Sequence, residues 1–186
     1  MQMDISEAIL KRKSVRGYTD ESVDPGILDK LITAGRWAPN AGPFQISVIR
    51  NAGLLKKIND STHGAMMNSG NDFLVQRASL PGYQPLYGAP VLMLLSGPAA
   101  APYSTVNAAL AAENILLEAT GAGLGSCFIV TPTLALNSEN HRDLAAEAGI
   151  PEGHTVICGV LVGHAAAEDK FTTMERVEKG AVNFVD

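Results

Sequence analysis

Two arginines and a serine stand close together in Arg12-Lys13-Ser14-Val15-Arg16. As extended backbone, Arg12, Ser14 and Arg16 share a side; as helix, Arg12 and Arg16 are neighbours four apart. Either geometry converges two guanidiniums and a hydroxyl, and arginine forks match the oxygens of a phosphate monoester at any working pH. The plain alternative is a solvated basic helix end, because short basic runs are common. A second cluster, Ala38-Pro39-Asn40-Ala41-Gly42-Pro43-Phe44-Gln45, offers small residues that let backbone approach a flat ligand. Asn40 and Gln45 add amide donors and acceptors suited to the edge of a heteroaromatic ring, although an ordinary turn between helix and strand would look the same. A third, Gly121-Ala122-Gly123-Leu124-Gly125, resembles a phosphate-binding glycine loop superficially. It follows a helical stretch rather than preceding one, so a dinucleotide-binding reading fails and a helix C-cap remains.

Other chemistry is less well supported. Cys127 and Cys158 sit in apolar runs, where a thiol behaves as a small hydrophobe. His63, His141, His154 and His164 are scattered without the pairing that a metal site needs, so no metal is expected. With 14 Lys+Arg against 19 Asp+Glu, the net charge of −5 gives no general attraction to nucleic acid or an anionic membrane. Residues 1–10 carry two acidic side chains and no long apolar region, which leads to the expectation of a cytoplasmic protein without signal or anchor.

The elements that must position these residues follow from apolar spacing. Ile5, Ala8 and Ile9 mark a short first helix ending near Lys11–Lys13, and Asp24-Pro25 starts a second that runs to about Gly35. Ile46 and Val48 alternate as a half-buried strand, and Leu54, Leu55 and Ile58 open another helix. Residues 61–88, rich in Gly, Asn, Ser and Pro, read as a long loop or short-helix excursion of the kind that covers sites. Val91 to Leu95 reads as a central strand buried on both faces. Ser104 to Thr120 is an Ala-rich helix apolar nearly all round, broken by Asn107, Glu113, Asn114 and Glu118, which predicts burial all round and a dimer seam. Strands are expected over 125–130 and 156–162, with a helix over about 138–148 between them. Val182-Asn183-Phe184-Val185 alternates like a short strand able to join a sheet edge of its own or another subunit. A hydrophobic share of 46% in 186 residues suits one compact domain over 1–186, with apolar surface left for a subunit interface.

In this order and at these distances, the three clusters resemble the nitroreductase family. The matching features are Arg12/Ser14/Arg16 after the first helix, Ala38-Pro39-Asn40 before the first strand, a long buried helix ending in Gly123-Leu124-Gly125, and a basic Arg176 before Val182-Asn183-Phe184. The resemblance covers nearly the whole chain and implies an α+β fold: an α/β/α sandwich with a mixed, mostly antiparallel central sheet. It also implies a homodimer with two FMN sites, each built from both subunits, and a tail over 164–186 packed on the partner. Arg12, Lys13 and Ser14 would meet the phosphate and ribityl chain, with Arg176 and Lys179 reaching the same phosphate, and Arg16 would lie at the pyrimidine side. Pro39, Asn40, Ala41 and Gly42 would line one ring edge, Val130 and Thr131 would present backbone N–H to N5, and an amide from Asn68 or Asn71 would join them. Phe73, Tyr83 and Tyr87 would shape substrate access or simply pack. The chain departs from the family pattern at Gly42-Pro43-Phe44-Gln45-Ile46, where an N-x-Q-P-W continuation is common.

The activity implied is hydride transfer from NADH or NADPH through FMN to an electron-poor acceptor such as a nitroaromatic or quinone, with ping-pong kinetics and no catalytic side chain. A related substrate class (dehalogenation or amine oxidation), FMN storage without turnover, and a plain dimeric scaffold are the competing readings.

Overall fold

A computed structural model describes residues 3–167, 171–172, 177 and 179–185. Asp4 caps the first helix, α1 (Ile5–Lys11), by accepting from the Glu7 N–H, and Asp24 does the same for Ile27 at the start of α2 (Pro25–Arg36). Strand β1 (Gln45–Ile49) leads into α3 (Ala52–Met67), capped by Asn51, and then α4 (Asp72–Ala78), capped by Asn71. After β2 (Val91–Pro98) come the long helix α5 (Ser104–Gly121), β3 (Gly125–Ile129), the short helices α6 (Thr133–Leu136) and α7 (Arg142–Glu147), and β4 (His154–Gly163).

The sheet runs in the order β1-β2-β4-β3, with every neighbouring pair antiparallel. One isolated parallel bridge, Ser14 to Ser126, lengthens its β3 edge. Alternation along β2 explains its continuous apolar run. Met93 and Leu95 pack with Leu31, Ala111 and Ile115 of α2 and α5, while Leu92 and Leu94 pack with Ile58, Leu136 and Ala148 on the opposite face. Helices on both faces of one sheet make the α/β/α sandwich, and β2 runs through its centre as expected. The α2–α5 contact is close: a Cβ on Gly35 would stand 2.9 Å from the Ile115 and Ile46 methyls.

Four expectations need correction. Helix α3 continues through Met67, so 61–88 opens with two more helical turns. Leu55, Ile58, Thr62 and Met66 form its buried stripe, and the polar Thr62 hides that periodicity in the sequence. The helix expected over 138–148 is split into α6, a 3-10 turn (Glu139–His141) and α7, since Pro132 starts a helix earlier and Ser138 leaves it in extended conformation. Helix α5 is not buried all round within one chain: Val106 and Leu110, with Tyr103 at its N-cap, remain exposed, because α2 and the sheet cover only part of its circumference. Residues 181–185 form no strand with their own sheet, which leaves the other subunit's edge as the alternative, and Val182, Phe184 and Val185 are exposed. Among the described residues, no helix is long and apolar enough to cross a membrane.

Candidate functional site

The basic segment leaves α1 in extended conformation at Arg12, whose N–H closes the helix onto the Ala8 carbonyl. Ser14 bridges Ser126, and the Val15 N–H donates to the Ser126 carbonyl at 2.9 Å. A Cβ on Gly125 would lie 2.9 Å from a Val15 methyl, so glycine lets the segment lie flat on β3. This extended form decides between the two geometries open in the sequence. Arg16, Ser14 and Arg12 all bear on the Cys127 thiol: burial pushes its pKa up, while both guanidiniums and the Ser14 hydroxyl pull it down. Arg12 Nε also lies 3.6 Å from Glu113 Oε1 on α5, and Lys13 beside it is half-buried.

Arg16 is held from the far end of the chain. Its N–H donates to Thr172 Oγ1 at 2.8 Å, and its Nη1 donates to the Phe171 carbonyl at 3.1 Å. The guanidinium stands 6.0 Å from the centre of the Tyr87 ring. Tyr87 has φ of 51°, a left-handed conformation unusual for a bulky residue, and persists there because its ring is packed and its hydroxyl accepts from Arg77 Nη2. Tyr83, Tyr87 and Phe171 form an aromatic cluster with Arg77. Burial is the first cause that raises the Tyr83 pKa, and the neighbouring Tyr87 adds to it. Tyr83 and Tyr87 are thus packing residues in this chain, whereas Phe73 is exposed.

The second cluster is organised by one side chain. Asn107, 2% exposed on α5, accepts from the Ala41 N–H at 2.9 Å through Oδ1 and turns its amide toward the Ala41 and Gly42 carbonyls. Asn40 donates to Ala38, and Gly42 has φ of 108°, which favours glycine. Pro39, Asn40, Ala41 and Gly42 are exposed. Gln45, expected at a ring edge, instead donates to the Gly149 carbonyl and Ser47 Oγ, fastening β1 to the turn after α7. Asn107 and Glu113 lie six residues apart, about 120° around the helix. Loop and basic segment therefore dock on different sides of α5.

On β3, Ser126, Phe128 and Val130 share one face. The Ser126 hydroxyl is buried and has no partner among the described residues, while Phe128 and Val130 are 41% and 53% exposed. An orphaned hydroxyl on the strand that Ser14 bridges, at the head of an exposed apolar strip and next to a segment carrying two arginines in sequence, fits a group with an anionic chain and a flat apolar body. The Val130 and Thr131 carbonyls accept from Thr133 and Leu134 and so start α6. Asn71 and Asn68 both serve helix ends, through Asn71 Oδ1 on the Leu74 N–H and Asn68 Nδ2 on the Gly64 carbonyl. Lys179 is exposed, and Arg176 lies outside the described residues. No group of three or more potential metal ligands occurs among the described residues.

Sequence reasoning missed Phe171, Thr172 and Arg77, whose partners are remote or lie in an excursion without periodic signal. It missed the role of Asn107, although a polar residue inside an apolar helix is a usable signal.

A model of the nitroreductase family matches residues 9–164. A protein of Archaeoglobus fulgidus, named provisionally as an NADH dehydrogenase/NAD(P)H nitroreductase, is 29% identical over 170 residues, covering 88% of this chain and 86% of that one. An FMN reductase (NADPH) of Bacillus subtilis is 28% identical over 86% of this chain and 65% of its own length. A nitroreductase from Bacteroides fragilis, solved with bound FMN, superimposes with a TM-score of 0.88 at 26% identity, covering 99% of this chain and all of that one. With the family model spanning the basic segment, the Asn107 loop and the whole sheet, the chain belongs to the nitroreductase family.

Proposed function

We propose that this chain is an FMN-dependent NAD(P)H oxidoreductase acting as a cytoplasmic homodimer on electron-poor acceptors such as nitroaromatics or quinones. The observation that carries the reading is the β3 edge, where the Arg12–Arg16 segment bridges the strand at Ser14–Ser126, the Ser126 hydroxyl is orphaned and Phe128 and Val130 are exposed. The similar FMN-bound protein supports it. When bound, FMN supplies two-electron chemistry between nicotinamide and acceptor.

Arg12, Lys13 and Ser14 would hold the phosphate and ribityl chain, with Arg176 and Lys179 as further cations. Arg16 would keep a positive charge at the pyrimidine end, favouring extra negative charge there. Val130 and Thr131 would bring backbone to the reacting edge, and Asn71 would add an amide. Pro39, Asn40, Ala41 and Gly42 would come from the partner subunit, because the two clusters dock on different sides of α5. The exposed stripe of Tyr103, Val106 and Leu110 is the natural seam, and the tail with Val182 and Phe184 would pack on the partner.

Reconstitution with FMN, then anaerobic addition of NADH or NADPH, tests the reading. Yellow protein that bleaches rapidly and shows parallel double-reciprocal lines with a nitroaromatic is expected. Yellow protein that never bleaches would indicate storage, and protein that takes up no flavin would refute the proposal.

A further inference from the structure

Two of the contacts on the Arg16 guanidinium lead to Arg77. The first is the Phe171 carbonyl, 3.1 Å from Nη1, at a residue 155 positions away in sequence and outside any helix or strand. Backbone of that kind is placed by its side chain. The Phe171 ring lies nearly perpendicular to Tyr83 at 5.9 Å and 6.2 Å from Tyr87, with the Arg77 guanidinium 5.2 Å from its centre. The second support is the Tyr87 ring, 6.0 Å from the Arg16 guanidinium, whose hydroxyl accepts from Arg77 at 3.4 Å. Arg77 also stands 5.1 Å from Tyr83, so it joins all three rings.

We infer that Phe171, clamped by Arg77 and Tyr83, is a positioning residue that fixes the Arg16 guanidinium and thereby sets how strongly the bound cofactor prefers its reduced form. The inference rests on the FMN reading above. Its physical basis is that a cation's effect on a nearby developing charge depends on its separation, most of all away from bulk water. The excursion then acts on the cofactor without touching it, through a ring cluster and one carbonyl. Thr172 Oγ1 accepts from the Arg16 backbone N–H, so it bears on the main chain, whereas the Phe171 carbonyl and the Tyr87 ring bear on the guanidinium.

The test measures the midpoint potential and FMN affinity of reconstituted wild type, Phe171→Ala, Phe171→Tyr, Arg77→Met and Arg16→Met. Phe171→Ala and Arg77→Met are each expected to lower the ratio of reduced to oxidised FMN affinity about tenfold, or about 30 mV for a two-electron couple. Arg16→Met should do at least as much, and Phe171→Tyr should restore the wild-type potential. Wild-type potential in both clamp variants overturns the inference while leaving the cofactor reading intact. So does loss of FMN from a variant with a wild-type circular dichroism spectrum, since the cradle at Arg12 and Ser14 does not depend on Phe171. Should Phe171→Ala misfold, Arg77→Met gives the decision. Wild type that takes up no FMN is a different failure, of the cofactor reading itself.

Discussion

The basic segment Arg12–Arg16 and the loop 38–42 are both short, polar and fastened near α5, but they are fastened in different ways. The loop is neutral and hangs on one buried amide, Asn107, that satisfies its backbone. The basic segment is charged, lies along β3 as an added bridge, and has its second arginine held by residues from the other end of the chain. A neutral loop can be shaped by a single polar side chain because it carries only hydrogen-bonding needs. Clustered cations repel one another, so they need packed walls and counter-dipoles from several elements to stay in place. The two cysteines record the same contrast. Cys158, whose thiol lies 4.0 Å from the Ala108 carbonyl on the α5 side, has its pKa pushed up to about 12 by burial alone. Cys127 is raised by burial too, but Arg16 and Arg12 oppose the rise.

The largest effect should come from Arg12→Met. A hydrogen bond to a charged group contributes about 1.5–3 kcal/mol, so FMN affinity should fall roughly 10- to 100-fold with little change in melting temperature. Equal affinity, read by fluorescence titration, would remove the functional half of the contrast. Asn107→Ala should do the reverse. Losing the hydrogen bond to the Ala41 N–H costs about 0.5–1.5 kcal/mol, seen as a shifted denaturation midpoint, with a smaller loss of FMN affinity than in Arg12→Met.

Next comes pH. A thiol whose folded pKa is raised contributes stability below its unfolded value of 9.0, and that stability is lost as pH rises toward the folded value. Stability should therefore decline from pH 9 upward, with Cys158 accounting for about 1 kcal/mol at pH 10, and Cys158→Ala should flatten this alkaline limb. In the Cys158→Ala background, Arg16→Met should push the Cys127 titration, followed by thiolate absorbance, further up. No movement would mean the cationic side does not reach the thiol. The smallest effect serves as a control: Lys57→Ala, breaking an exposed pair with Glu147, should cost no more than about 0.5 kcal/mol and leave FMN affinity unchanged.

Legibility followed the range of the forces involved. Caps such as Asp24 and the double-sided apolar run of β2 are local, and they could be read directly. The excursion was misread because Thr62 takes a place in the buried stripe of α3, a substitution that only packing reveals. Both arginines of the basic segment were visible as a pattern, whereas the identity of what holds Arg16 was not, since Phe171 and Thr172 lie more than 150 positions away.

By itself, then, the sequence determined which residues could bind an anion, which runs had to be buried, and the family resemblance carried by their order. Tertiary structure alone decided that Gln45 fastens β1 instead of meeting a ligand, that Ser126 keeps an unanswered hydroxyl beside Ser14, and that α5 separates the two polar clusters. The reason is that residue type fixes what a group can do, whereas its partners are set by long-range packing, which local periodicity does not encode.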